Sequence, residues 1–112
     1  MHEFSLAQGL MGQLNQLAHQ HNASKIFKAY VTVGKLSGIV TDSFVFGFEA
    51  LAGENDLTKH AVLEITETEP EQRCLECGSK NPHQSTACTQ CNSTRLMLDG
   101  GDDLILTQVE ME

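Results

Sequence analysis

The sequence is poor in basic and aromatic residues, and it has no long apolar run. It contains no tryptophan and only 2 prolines, and aromatic residues make up 5% of its 112 positions. Lys and Arg number 7 against 15 for Asp and Glu, which gives a formal net charge of −8. Because a phosphate backbone attracts basic surfaces, we expect no binding to nucleic acid.

The chain also lacks the features of membrane and exported proteins. No apolar run approaches the roughly 20 residues that cross a bilayer, and no basic segment followed by an apolar stretch opens the sequence. We therefore expect a soluble, cytoplasmic protein without a membrane partner. In that reducing compartment the 4 cysteines stay thiols, which favours metal binding over disulfides.

Periodicity predicts two helices. Apolar residues recur at helical spacing near the start of the chain, at Leu6, Leu10, Leu14 and Leu17. They predict a helix that begins almost at the first residue and ends near Asn22. The segment "TDSFVFGFEALAG" predicts a second helix, capped by Asp42 or Ser43 and ended by Gly53, although its strand-forming residues leave a strand open.

Three segments have the two-residue alternation of strands. They are "IFKAYVTVG", with Phe27, Ala29, Val31 and Val33 on one side, "HAVLEITETE", which Pro70 closes, and "LILTQVEM" at the end of the chain. A shorter strand in "TRLMLDGG" leads into a Gly100-Gly101 turn, after which we expect the last strand to return to the main sheet. The predicted class is α+β, a small mixed sheet of about three strands with two helices.

Composition changes in the second half of the chain. Residues 71–95 contain little apolar material but all the cysteines. We therefore predict two domains, an α/β domain formed by residues 1–70 and 103–112 and a metal-binding module formed by residues 71–102.

The cysteines have the spacing C-x2-C-x10-C-x2-C, at Cys74, Cys77, Cys88 and Cys91. Each pair fits a tight turn that directs two sulfurs at one ion, and two pairs complete a tetrahedron around zinc. Gly78 and Asn92 follow the pairs and tolerate the left-handed backbone that such turns need. Four thiolates leave no open position for water, so a structural zinc-ribbon-like module is predicted. A rubredoxin-like iron site, an iron–sulfur cluster and a redox dithiol are the alternatives.

His83 lies within the ten-residue loop between the cysteine pairs. The first interpretation is an exposed loop histidine. The alternative is that its imidazole replaces one thiolate as a metal ligand. The sequence does not make it a predicted ligand.

The chain starts Met1-His2-Glu3, which can itself bind a metal. The terminal amine, the amide nitrogen of His2 and its imidazole are three nitrogen donors, and Glu3 adds a carboxylate. Nickel(II) and copper(II) accept such nitrogen-rich planar sets. The alternative is that these three residues bind no metal, since Glu3 is also favourable at the positive end of a helix. Asp42 is a further candidate donor if its segment folds near the terminus.

Taken together, the leading "MHE", "VTVGKLSGIV", "RCLECG" and "CTQC", and the glycine turn before a terminal strand resemble the HypA family of nickel metallochaperones. The resemblance covers essentially the whole chain. It implies nickel binding by Met1, His2 and Glu3 and zinc binding by Cys74, Cys77, Cys88 and Cys91, here with a shorter loop and fewer nearby histidines than in some members.

The resemblance also implies partners for the protein. They are the GTPase HypB and the precursor of the large subunit of nickel-iron hydrogenase, with urease as a second client in some bacteria and a homodimer left open. The rival interpretation is a zinc-ribbon adaptor that binds proteins without nickel. An enzyme is not expected, because no nucleophile–base set, phosphate loop or open metal position is found in the sequence.

Overall fold

The computed structural model describes residues 2–101 and 103–112, with side chains from Glu3 onward in those ranges. It contains two helices and two three-stranded sheets, which confirms the predicted α+β class. In chain order the elements are α1 (His2–Gln20), β1 (Ile26–Gly34), α2 (Thr41–Ala52), β2 (Val62–Thr68), β3 (Glu71–Cys74), β4 (Lys80–Pro82), β5 (Leu96–Asp99) and β6 (Leu104–Met111). Among the described residues, neither helix is long and apolar enough to cross a membrane.

The chain divides into two compact units. The first, which we name the helix–sheet unit, consists of the chain up to Thr32, Ile39–Thr66 and Ile105–Glu112. The second, the cysteine unit, consists of Val33–Gly38 and Glu67–Leu104.

Two features of α1 confirm its prediction from the leucine stripe. The helix runs from His2 to Gln20, and Leu10 and Leu14 are buried beneath it. It ends where Asn22 adopts a φ of 53° and the Ala23 N–H donates to the carbonyl of Ala18 at 2.8 Å. This bond belongs to the type of helix end in which a left-handed residue lets the chain satisfy the last carbonyls.

The second helix forms as preferred, but its predicted cap is wrong. Neither Asp42 nor Ser43 is the N-cap, because α2 already begins at Thr41. Its N-cap is Val40, whose side chain cannot accept a hydrogen bond. The N–H of Val40 itself donates to the Glu3 carboxylate of α1, at 3.3 Å. Gly53 ends the helix as predicted, and its N–H donates to the Glu49 carbonyl.

The main sheet has the strand order β2-β1-β6, so the last strand returns to it as predicted. Lys25 and Glu112 exchange backbone hydrogen bonds at one end of β1, and Gly34 donates to the Asp103 carbonyl at the other. β6 is therefore antiparallel to β1. One detail of the strand prediction is wrong. Phe27 was predicted on the same side as Ala29, Val31 and Val33, but it is 41% exposed. The alternation is interrupted at the start of β1, where Ile26 is buried instead.

The core of the helix–sheet unit lies between the two helices and β1. Its buried side chains are Ala7, Leu10, Met11, Leu14, Ala18, Ile26, Ala29, Val31, Phe44, Phe48 and Ala52. The helices approach closely at Gly47, where an added Cβ would lie 3.4 Å from the Phe4 ring and 3.6 Å from the Ala7 Cβ. Thr58, which is fully buried, donates its hydroxyl to the Ala52 carbonyl at the end of α2.

The second sheet has the order β4-β3-β5 and is antiparallel throughout. After β5 the chain turns at Gly100 and Gly101, which both have a left-handed φ. A Cβ on Gly101 would lie 2.7 Å from the Cβ of Pro70, whereas a Cβ on Gly100 would meet nothing within 4 Å.

These two glycines provide a matched test of packing at the turn. Both Gly→Ala changes incur the left-handed cost of about 1–2 kcal/mol, but only Gly101→Ala also overpacks the turn against Pro70. We expect Gly101→Ala to lower the free energy of unfolding by about 1–3 kcal/mol more than Gly100→Ala. Urea unfolding of the metal-loaded proteins measures the difference, and equal losses would show that Pro70 moves aside.

Candidate metal centre

The four cysteines converge on one point of the cysteine unit. All four sulfurs lie within 4.8 Å of one another, and none is in a disulfide. The Sγ atoms of Cys74 and Cys91 are 3.5 Å apart, as are those of Cys77 and Cys88. A tetrahedral ion about 2.3 Å from each sulfur requires sulfur separations of about 3.8 Å. The cluster therefore has the dimensions of a four-thiolate metal site.

Each pair of cysteines is held by a backbone turn of the predicted kind. In the first turn the Gly78 N–H donates to the Cys74 carbonyl at 2.9 Å, and in the second the Asn92 N–H donates to the Cys88 carbonyl at 2.9 Å. Gly78 has a φ of 77° and Asn92 a φ of 62°, which confirms the left-handed backbone expected at both positions. The two turns present their sulfurs in equivalent ways.

Burial is divided in the same way within each pair. The first cysteine is buried, with Cys74 2% and Cys88 3% exposed. The second cysteine of each pair, Cys77 and Cys91, is exposed. The site is thus closed on one side and open to solvent on the other.

Hydrogen bonds and neighbouring sulfurs move the thiol pKa values in opposite directions. The N–H groups of Cys91 and Gln90 donate to the Cys88 sulfur and lower the pKa of that thiol to about 6. At Cys91 the Ser93 N–H acts in the same sense, but the sulfur of Cys74 and the other thiols outweigh it and raise the pKa to about 12. Crowded thiolates repel one another, and a cation between them would favour their ionisation.

Asn81 connects the two turns, and sequence reasoning missed it. It lies in β4 with 2% exposure, and its Oδ1 accepts from both the N–H and the hydroxyl of Thr89 at 3.0 Å. Its Nδ2 donates to the Ser79 carbonyl at 3.4 Å. Thr89 follows Cys88 directly, so this amide fixes the second turn to the strand that follows the first. Nothing in the cysteine spacing marks this asparagine, and only its burial reveals it.

His83 does not belong to the cluster. Within the described residues the group of possible metal ligands consists of the four cysteines alone. The His83 Nδ1 lies 3.8 Å from the Glu69 carboxylate, which also pairs with Lys35. The hydrogen bond from Lys35 is the main reason that the pKa of Glu69 is lowered. His83 therefore lies beside Glu69, within the cysteine unit.

The predicted nickel residues are only partly within the described structure. Met1 and the side chain of His2 lie outside it. Glu3 is half-buried, and its carboxylate accepts the Val40 N–H at the start of α2. Asp42 lies in the first turn of α2, two residues after Val40, and is exposed. The start of α1 therefore lies beside the segment that carries Asp42.

Comparison with known proteins identifies the family. The family model described as hydrogenase/urease nickel incorporation, metallochaperone, hypA matches residues 1–111. The hydrogenase maturation factor HypA of Alkalilimnicola ehrlichii is 32% identical and covers 100% of both chains. That of Helicobacter hepaticus is 31% identical, with 100% of this chain and 98% of the relative covered.

Two solved structures have the same fold. The solution structure of the Ni metallochaperone HypA from Helicobacter pylori is 26% identical with a TM-score of 0.72, covering 97% of this chain and 96% of that one. A second solution structure, of a HypA protein, is 27% identical with a TM-score of 0.83, covering 100% and 97%. With its four-cysteine metal site, this chain therefore belongs to the HypA family of metallochaperones for hydrogenase and urease nickel incorporation.

Proposed function

We propose that this protein binds nickel(II) transiently at its N-terminus, holds zinc permanently in its cysteine cluster, and delivers nickel for the maturation of nickel-iron hydrogenase. The observation that carries the nickel part is the family match over residues 1–111, which includes the leading Met1-His2-Glu3. Urease is a second client under the same family description. The role is that of an accessory protein and not of an enzyme.

The zinc part of the proposal rests on what the cysteine unit lacks. Its buried residues between positions 67 and 104 are Pro70, Cys74, Asn81, Cys88 and Gly101. Among the described residues of that stretch no large aliphatic or aromatic side chain is buried, and the rest of the unit adds only Val33 of β1. The sulfurs therefore form most of the interior. Structural zinc supplies on the order of 10–16 kcal/mol of apparent folding free energy, and four thiolates leave it no catalytic position.

The predicted division of the chain, residues 1–70 with 103–112 against residues 71–102, is part of this proposal. Removing zinc with a chelator should unfold residues around 71 to 98, because no apolar core replaces the metal, and should leave much of the main sheet folded. Amide NMR spectra before and after chelation measure this. A metal-free protein with a fully native spectrum would contradict the structural role.

Asn81 provides a test of the site that leaves every sulfur in place. Asn81→Ala removes the acceptor of two part-buried hydrogen bonds from Thr89, each worth about 0.5–1.5 kcal/mol. We expect zinc affinity to fall by about tenfold or more, since about 1.4 kcal/mol corresponds to tenfold.

Chelator competition at neutral pH measures the zinc affinity of this variant. Asn15→Ala is the matched control, because Asn15 is exposed on α1 in the other unit. Equal zinc affinity in the two variants would show that Asn81 does not support the site.

Nickel binding at the terminus has a direct test. Calorimetric titration of nickel into the zinc-loaded, untagged protein should show one saturable site. Binding should be lost in His2→Ala, which removes the imidazole, and in the parent protein acetylated at its terminal amine, which removes the amine donor. Equal binding in all three proteins, or none in the parent, would favour the zinc-ribbon adaptor.

Asp42 is the candidate additional donor. The Val40 N–H donates to the Glu3 carboxylate, and this hydrogen bond brings the start of α2, which carries Asp42, to the start of α1. In the same titration Asp42→Asn should weaken nickel binding less than His2→Ala. Asp56→Asn is the control, since Asp56 is an exposed carboxylate after α2, and equal affinity in both variants would exclude Asp42.

The pH dependence of nickel binding follows from the donors. The terminal amine and the imidazole bind nickel only when deprotonated, and their ordinary pKa values are about 8 and about 6.5. Nickel affinity should therefore fall as the pH is lowered through these values. Equal affinities at neutral and acidic pH would contradict this donor set.

The partners of the proposed function are the GTPase HypB, with which nickel is exchanged, and the precursor of the hydrogenase large subunit, in the cytoplasm. A few-ligand site at the chain terminus suits a carrier, because it must release its ion as well as bind it. The adaptor alternative keeps the cysteine unit but has no nickel to transfer.

A further inference from the structure

β6 is an edge strand of the main sheet. It pairs with β1 on one side, and the strand order β2-β1-β6 gives it no second neighbour within the described residues. An edge strand directs the N–H and C=O groups of alternate residues away from the sheet. These groups form a template on which another strand can be added.

A groove runs between this strand and α1. Leu17 and His21 of α1 line one side, and β6 lines the other with Leu106, Val109 and Met111 among its residues. The groove has a volume of about 260 Å³. Its four apolar side chains, Leu17, Leu106, Val109 and Met111, are half-buried. The groove lies entirely within the helix–sheet unit.

A groove between an edge strand and a helix has the form that accepts an extended peptide. In this mode the main chain of the peptide adds a strand, and alternate side chains enter the groove. The half-buried side chains of the groove favour apolar residues at every second position of the added strand, because their remaining exposed area becomes buried.

The charges near β6 indicate which kind of strand can be added to it. The end of the chain, residues 103–112, contains Asp103, Glu110 and Glu112 and no basic residue. A second copy of β6 would bring together two strand segments that carry acidic side chains and no basic one. Like charges directly opposite each other destabilise a sheet, and opposite charges stabilise it. The occupant favoured by charge is therefore a basic strand and not a second copy.

We propose that the groove between α1 and β6 binds an extended segment of a partner protein, in which apolar residues alternate with Lys or Arg, as a fourth strand of the main sheet. This site goes beyond the proposed nickel function and does not depend on it. The protein is therefore tested zinc-loaded and without nickel, so that the outcome is independent of the terminus.

The probe is a hexapeptide of alternating valine and lysine, titrated into the isotope-labelled protein. Amide NMR shifts should change along β6 and near Leu17 and His21. A second hexapeptide of the same sequence with every amide N-methylated cannot donate to the edge strand, and its binding should be lost. Equal binding of the two peptides would overturn the proposal, because it would show attraction by charge alone.

Two variants locate the site. Val109→Lys places a charge in the groove and should weaken binding of the unmethylated peptide by about tenfold, or about 1.4 kcal/mol. Val62→Lys is the matched control on β2, the opposite edge of the same sheet, where Val62 is 58% exposed. Thermal unfolding checks that both variants fold, and the comparison of the two peptides on the parent protein stands without them.

Two outcomes would contradict binding of a basic strand at the β6 edge. Shift changes as large along β2 as along β6 would show general attraction to an acidic surface and would overturn the proposal. Self-association of the peptide-free protein, with concentration-dependent shifts along β6, would make a second copy the occupant and would overturn it as well.

Discussion

The mutual approach of four sulfur atoms is the constraint on which the cysteine unit depends. Each sulfur is placed by a short backbone turn, and the interior of the unit contains these sulfurs and few other side chains. A unit of this kind gains little from apolar burial, because it has little apolar surface to bury. The zinc of the proposed function would supply the missing free energy of folding, so that metal binding and folding would be one equilibrium.

The helix–sheet unit is stabilised in another way. Phe44 and Phe48 of α2 and the leucines of α1 are buried together, and Gly47 lets the helices come close enough for Phe4 and Ala7 to pack against it. At the start of α2 the N–H of the N-cap residue Val40 donates to the Glu3 carboxylate. The start of α1 is therefore tied to α2 by a polar contact as well as by packing, which gives the residues after the chain terminus a defined neighbour.

Much of this architecture could be predicted from residue patterns. The leucine stripe, the strand alternation and the cysteine spacing each record a local geometry, so α1, the three main strands and the equivalence of the two turns were predicted correctly. The cap of α2, the exposure of Phe27 and the role of Asn81 were not. The cap and the asparagine depend on contacts between segments that are distant in the sequence, and the exposure of Phe27 depends on a local interruption of the strand alternation. Neither kind of feature produces a periodic pattern in the sequence.

The unequal burial of the cysteines has a consequence for exchange of the bound ion. Cys74 and Cys88 are shielded, whereas Cys77 and Cys91 face solvent. In the metal-loaded protein a competing thiolate would reach the cluster from the side of Cys77 and Cys91, while Cys74 and Cys88 would hold the ion on the shielded side. The rate of metal exchange would then depend on access to one face of the cluster.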